Sequence, residues 1–100
     1  MANANTTQKN MRTNIKTLQY LVNQINTLTN SPATPYTRQG DKMEANIGNY
    51  HLSQAYGGVC VHRMANESGG CTTPIWSGHG TKKEAEMKLR AFICGLQVKN

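Results

Sequence analysis

Apolar residues recur at helical spacing near both ends of the chain and alternate with polar ones between. Met11, Ile15, Leu18, Val22 and Ile25 step by four and three, with Leu21 and Leu28 widening the stripe. This predicts an amphipathic helix over residues 11–29. Thr29-Asn30-Ser31-Pro32 ends it, because proline and its neighbour stop helical propagation. The same steps also suit a coiled-coil seam, but the run is short of the several heptads a coiled coil needs. A core-packing helix is the better reading. Near the other end, Ala85, Leu89, Phe92, Ile93 and Leu96 share one face of a second helix. Thr81 is a good N-cap, and Glu84 three residues later completes a capping box. The glycines of Gly78-His79-Gly80 let the backbone turn sharply before it.

Between the helices, residues 31–46 read as a connection. Ser31-Pro32-Ala33-Thr34-Pro35-Tyr36 is turn-rich and Gln39-Gly40-Asp41-Lys42 is a second turn signal. It is long for a connection, so it either carries function or packs as an ordered loop. Residues 47–77 read as three short strands: Asn49–Ser53, Val59–Met64 and Cys71–Ser77. Ala55-Tyr56-Gly57-Gly58 turns between the first two, and Asn66-Glu67-Ser68-Gly69-Gly70 between the second and third. Pro74 confines the third strand to an edge or a bulge. Alternation places Tyr50, Leu52, Val59, Val61 and Ile75 on the face covered by helices, and His51, Cys60, His62 and Trp76 on the other. The predicted fold is an α+β two-layer sandwich, α-β-β-β-α, with a three-stranded antiparallel sheet and both helices on one face. Residues 1–10 read as a disordered tail and residues 11–100 as a single domain.

Charge changes the picture more than composition does. Eleven Lys and Arg against five Asp and Glu leave a net charge of +6, which favours anionic partners. Lys9, Arg12 and Lys16 sit near the start of the first helix, where the macrodipole does not favour cations. No apolar run is long enough to span a bilayer, and Met1–Thr7 lacks the apolar stretch of a signal peptide, so a cytoplasmic protein is expected. Cys60, Cys71 and Cys94 make an odd number without framework spacing, which points to free thiols.

The element order, ending in Gly80-Thr81-Lys82-Lys83-Glu84-Ala85-Glu86, resembles the double-stranded-RNA-binding domain. That family opens its last helix with a small residue, paired lysines and an alanine, and sets the lysines on phosphates across a major groove. Lys82, Lys83 and Ala85 match this pattern. Glu86 stands where the family usually has a further lysine. The first hairpin lacks the family's Gly-Pro-x-His loop, and the link to the first strand is longer. A second resemblance covers Leu18 to Tyr36, Ala45 to Leu52, Ala55 to Gly58, and Gly69-Gly70. This pattern is similar to small proteins of undefined chemistry encoded by bacteriophages and prophages. It implies an accessory role exerted by binding, for example against a host defence factor, in the host cytoplasm.

Catalytic chemistry is thinly supplied. There is no Gly-x-Ser-x-Gly, Walker loop or His-Glu-x-x-His. Of the carboxylates, Glu84 is taken by the capping box and Glu86 can pair with Arg90 one turn on. Cys60 and His62 share a strand face, but a buried cysteine beside a surface histidine is the simpler reading. Cys60, His62, Cys71 and His79 supply candidate metal ligands at spacings that fit no familiar zinc pattern, so neither metal nor cofactor is expected. Nucleic-acid binding is better supplied. Lys82, Lys83, Lys88 and Arg90 lie on the last helix and Arg63 on the second strand, with Tyr56 and Trp76 as candidate stacking aromatics. Taken singly, each aromatic is more simply read as plain packing, Trp76 at the core edge and Tyr56 over the hairpin.

The glycine-flanked, lysine-bearing N-terminus of the last helix reads as a phosphate cradle, because its free backbone N–H groups and positive dipole end point outward. The expected site is therefore Gly80, Thr81, Lys82, Lys83, Arg63, Lys88 and Tyr56, binding phosphate-rich ligands and above all nucleic acid. Two alternatives stand beside it. One is inhibition of a host protein by the basic face. The other is sequestration of a small phosphorylated signal by Gly80, Thr81, Lys82 and Tyr56 between subunits. A homodimer through the first helix or an edge strand is compatible with each.

Overall fold

The computed structural model describes residues 13–98. The tail expected over residues 1–10 lies outside the described residues, as do Met11 and Arg12.

The first helix, α1 (Ile15–Leu28), begins later than the apolar steps alone suggest. Asn14 adopts an extended conformation and its Oδ1 accepts the Thr17 N–H at 2.9 Å, a side-chain cap that fixes the start. Leu18, Leu21, Val22 and Ile25 are buried, Ile15 is half-buried and Leu28 is exposed. The second helix, α2 (Lys82–Gln97), starts where the capping box predicts and buries Ala85, Leu89 and Ile93.

The expected connection over residues 31–46 contains a hairpin. β1 (Tyr36–Gln39) and β2 (Lys42–Ala45) pair antiparallel, with Gln39 opposite Lys42 around Gly40 (φ +64) and Asp41. Neither strand has a buried face, so no apolar alternation marks them. Backbone pairing and the Asn46 side chain, which donates to the Thr34 carbonyl and to Thr37 Oγ1, hold them.

The main sheet is β3 (Tyr50–Ala55), β4 (Gly58–Met64) and β5 (Cys71–Thr72), in that order and antiparallel throughout. The third strand is two residues long, against the expected 71–77. Proline at 74 has no N–H to give a ladder. The chain leaves the sheet there and returns at Gly80, whose N–H and C=O both bond Val59, at 2.9 and 2.8 Å. Gly58 permits this return: a Cβ there would lie 2.7 Å from the Gly80 carbonyl oxygen.

The α+β sandwich is thus as predicted, with the β1–β2 hairpin added. Tyr50, Val59 and Val61 form the core with α1 and α2, and Leu52 and Ile75 pack against it. Trp76 packs there too, rather than on the opposite face. Once its segment has left the strand, period-two alternation no longer governs it. Cys60 does face away from the helices, yet it is fully buried, with its thiol donating to the Trp76 carbonyl at 3.5 Å.

One polar group ties the layers together. The Met64 N–H bonds the Asn49 carbonyl, which makes Tyr50–Arg63 a non-hydrogen-bonded pair. The N–H and C=O of Tyr50 therefore point off the sheet edge. Asn26, buried on α1, takes both: Oδ1 accepts the N–H at 2.8 Å and Nδ2 donates to the C=O at 2.9 Å. Asn26→Ala strands both backbone groups out of water and should cost about 3 kcal/mol in urea unfolding. Asn23→Ala, one turn away and exposed, should cost less than about 0.5 kcal/mol.

Candidate functional site

The start of α2 is built from Thr81 and Glu84. Thr81 Oγ1 accepts the Glu84 N–H at 3.1 Å, and Glu84 Oε1 accepts the Thr81 N–H at 3.0 Å. The backbone N–H of Thr81, and then its hydroxyl, hold the Glu84 carboxyl below its usual range. The expected phosphate cradle is altered as a result. The Gly80 amide is used by Val59 and the Thr81 amide by Glu84. This helix end still offers an anion the backbone N–H groups of Lys82 and Lys83, which bond no described residue, and the two lysine side chains, both exposed.

Beside Lys82 lies an open cleft of about 580 Å³ between the β3–β4 hairpin and α2, lined by Gln54, Ala55, Gly57, Gly58, Val59, Thr81 and Lys82. Tyr56 stands at the hairpin tip. Tyr56 (φ +55) and Gly57 (φ +74) are both left-handed, as a two-residue type I′ turn requires. A tyrosine in this region is strained. The residue is 95% exposed, and its ring touches His79 edge-on at a centroid distance of 5.6 Å. Tyr56 is thus not packed over the hairpin.

The remaining expected residues lie elsewhere. Arg63 is four residues from Val59 along β4, about 13 Å away. There its guanidinium stacks over the Tyr50 ring at 5.0 Å, and Nε donates to the Gly48 carbonyl. The Lys88 ammonium sits over the Trp76 ring at 5.3 Å, which makes Trp76 a packed core edge and not an open platform. Arg90 pairs with Glu86 at 2.8 Å. Glu86 is held below the usual carboxylate range, chiefly by the Thr13 hydroxyl and then by Arg90.

The sheet face turned away from the helices carries a second group. His51 lies directly opposite His62 on β4, with ring centroids 5.9 Å apart, and His79 lies 6.1 Å beyond His62. Cys71 Sγ is 3.8 Å from His51 Nε2. Of the four ligands weighed from the sequence, only His62 and Cys71 belong to this group. Cys60 faces backbone carbonyls, where burial pushes its thiol up, and His79 Nε2 is 3.0 Å from Ser53 Oγ. His51 is the member the sequence reading omitted. The signal was present, because a turn at Tyr56-Gly57 sets the register that pairs residue 51 with 62. All three cysteines are free thiols.

No family model matches this chain, and no curated protein or solved structure is detectably similar to it. No helix among the described residues is long and apolar enough to cross a membrane.

Burial, and then the neighbouring His62, lower the pKa of His51 from 6.5. Between 6.5 and its folded value, the unfolded chain binds a proton that the folded chain does not. The stability owed to neutral His51 is therefore complete above pH 6.5 and is lost as pH falls through that window. Urea midpoints should decline there and flatten in His51→Gln. Glu84 and Glu86, held below 4.5, act only in more acid solution.

Proposed function

We propose that this protein binds the backbone of nucleic acid on the surface where the β3–β4 hairpin meets the start of α2. The carrying observation is Tyr56, a strained and almost fully exposed aromatic, beside a cleft bordered by Lys82. Backbone strain of this kind persists where the surroundings or a function require it. Here nothing is buried in return, and a base offers the ring a stacking partner. Lys82 and Lys83 form no salt bridge among the described residues, so their charge is available to phosphates. Gly57 and Gly58 present no side chain to hold a strand off the cleft.

This reading keeps the lysine pair that the double-stranded-RNA-binding resemblance implies, and gives the contact to the ammonium and backbone N–H groups of Lys82 and Lys83 rather than to the Gly80 and Thr81 amides. Lys88 and Arg63 add to the field of the molecule rather than to the contact. The setting proposed is the cytoplasm, where nucleic acid is accessible.

Fluorescence anisotropy against labelled double-stranded RNA, double-stranded DNA and single strands, at low and moderate salt, tests the reading. Binding should weaken steeply with salt. The double variant Lys82→Glu/Lys83→Glu should lower the salt slope by about two and leave the fold intact, since glutamate suits a first helical turn. Unchanged affinity in that variant, or no binding at low salt, sinks the proposal. Binding of mononucleotides in preference to polymers would favour the sequestration alternative, and capture of a single host protein the inhibitor alternative.

Tyr56 separates stability from binding. Tyr56→Asn relieves the left-handed strain and should stabilise the fold by about 0.5–1 kcal/mol while weakening binding to single strands. A variant that is stabilised yet binds as well as wild type would remove Tyr56 from the contact.

A further inference from the structure

The face of the sheet opposite the helices holds two imidazoles and a thiol at metal-binding separation. One ligand atom each from His51, His62 and Cys71 lies within 4.8 Å of the others. In a tetrahedral zinc site, Zn–N bonds of about 2.0–2.1 Å and Zn–S bonds of about 2.3 Å put N and S about 3.6 Å apart. His51 Nε2 and Cys71 Sγ are already 3.8 Å apart. Side-chain rotations that bring the other separations, each within 4.8 Å, closer by at most about 1.5 Å close the set, and each residue stands on a different strand of one sheet.

The orientation of His51 is set from behind. Asn49 is fully buried and its Nδ2 donates to the Pro32 carbonyl at 2.9 Å, which turns Oδ1 toward His51 Nδ1 at 3.0 Å. An amide oxygen can only accept, so Nδ1 carries the proton and Nε2 presents its lone pair toward Cys71. A hydrogen-bond acceptor on one ring nitrogen, with the other free to ligate, is the usual arrangement of a metal-binding histidine. His62 bonds no described residue through its ring nitrogens, while Cys71 is exposed and opens the cluster to solvent.

We propose that His51, His62 and Cys71 bind one Zn²⁺, with solvent in the fourth position. Two imidazoles and a thiolate without a carboxylate select a borderline-soft metal over Mg²⁺ or Ca²⁺. The ion ties β3, β4 and β5 together and reinforces the short β5. It is independent of the nucleic-acid reading, since the cleft shares none of these ligands.

Titration of the reduced, metal-free full chain with Co²⁺, followed by competition with Zn²⁺, tests the site. One equivalent of Co²⁺ should give a thiolate-to-cobalt charge-transfer band and tetrahedral d–d bands, both displaced by Zn²⁺, and Zn²⁺ should raise the Tm. Cys71→Ser should abolish the charge-transfer band. Cys71→Ser and His62→Ala should each weaken Zn²⁺ binding about 100-fold or more, given that losing even a group that only orients a ligand costs about 10–100-fold. Cys94→Ser, on α2 across the sheet, should bind as wild type. These ligand side chains are exposed or half-buried, and circular dichroism of the metal-free variants checks that each folds. Absence of a one-to-one complex at micromolar protein overturns the proposal. So does a charge-transfer band that survives in Cys71→Ser, or binding of copper alone with no zinc.

Discussion

The clamp between Asn26 and the backbone of Tyr50 is the interaction on which the layering depends. β3 is an edge strand, and an edge strand exposes unpaired N–H and C=O groups. At Tyr50 both point toward α1, where water does not reach. One amide side chain satisfies donor and acceptor together and fixes the depth and rotation of α1 against the sheet. Leu18, Leu21, Val22 and Ile25 can then meet Tyr50, Val59 and Val61. Apolar contact supplies most of the stabilisation, at about 1.5–3 kcal/mol for each large side chain fully buried. The amide decides which of many apolar contacts forms.

From that anchor, β4 organises both surfaces of interest. One edge pairs with β3, and the other pairs with β5 at one end and with Gly80 at the other. The Gly80 pairing places the start of α2 beside the hairpin, so Lys82 lines one cleft with Ala55 and Gly57, the residues that flank Tyr56, although they lie far apart in the chain. The close approach of Gly58 to Gly80 allows no side chain at the crossing. The price in this arrangement is the Gly80 amide, which goes to the sheet and is lost to any ligand.

The two faces of the sheet differ for a simple reason. The helices cover one, and it is apolar. The other is only partly covered, by the segment between Thr72 and Gly80, and it can hold histidines and a thiol in contact with solvent. Desolvation there lowers the pKa of His51 from its ordinary value, while Cys71 stays open. Binding chemistry of two kinds can therefore occupy one small sheet, phosphate contact at its hairpin end and ligand donors on its open face.

The sequence by itself determined the elements whose signals are local. The stripe from Ile15 to Ile25, the capping box at Thr81 and Glu84, and the alternation in Val59–Met64 each follow from the period of a helix or strand. The element order, and with it the α+β sandwich, follows from them. The β1–β2 hairpin was not legible in that way, because strands with no buried face carry no alternation. The departure of the chain from the sheet after Thr72 was hidden too, since Ile75 and Trp76 read as strand until the bridge at Gly80 is seen. Of the expected site, Thr81 and Lys82 line a cleft with the hairpin that carries Tyr56, and Arg63 and Lys88 stack on Tyr50 and Trp76 instead. The juxtaposition of His51, His62 and Cys71 needed the register of one hairpin and the placement of another. Local periodicity encodes what each residue faces along its own element. Which elements meet, and which amides remain for a ligand, was decided only when long-range pairing satisfied the backbone.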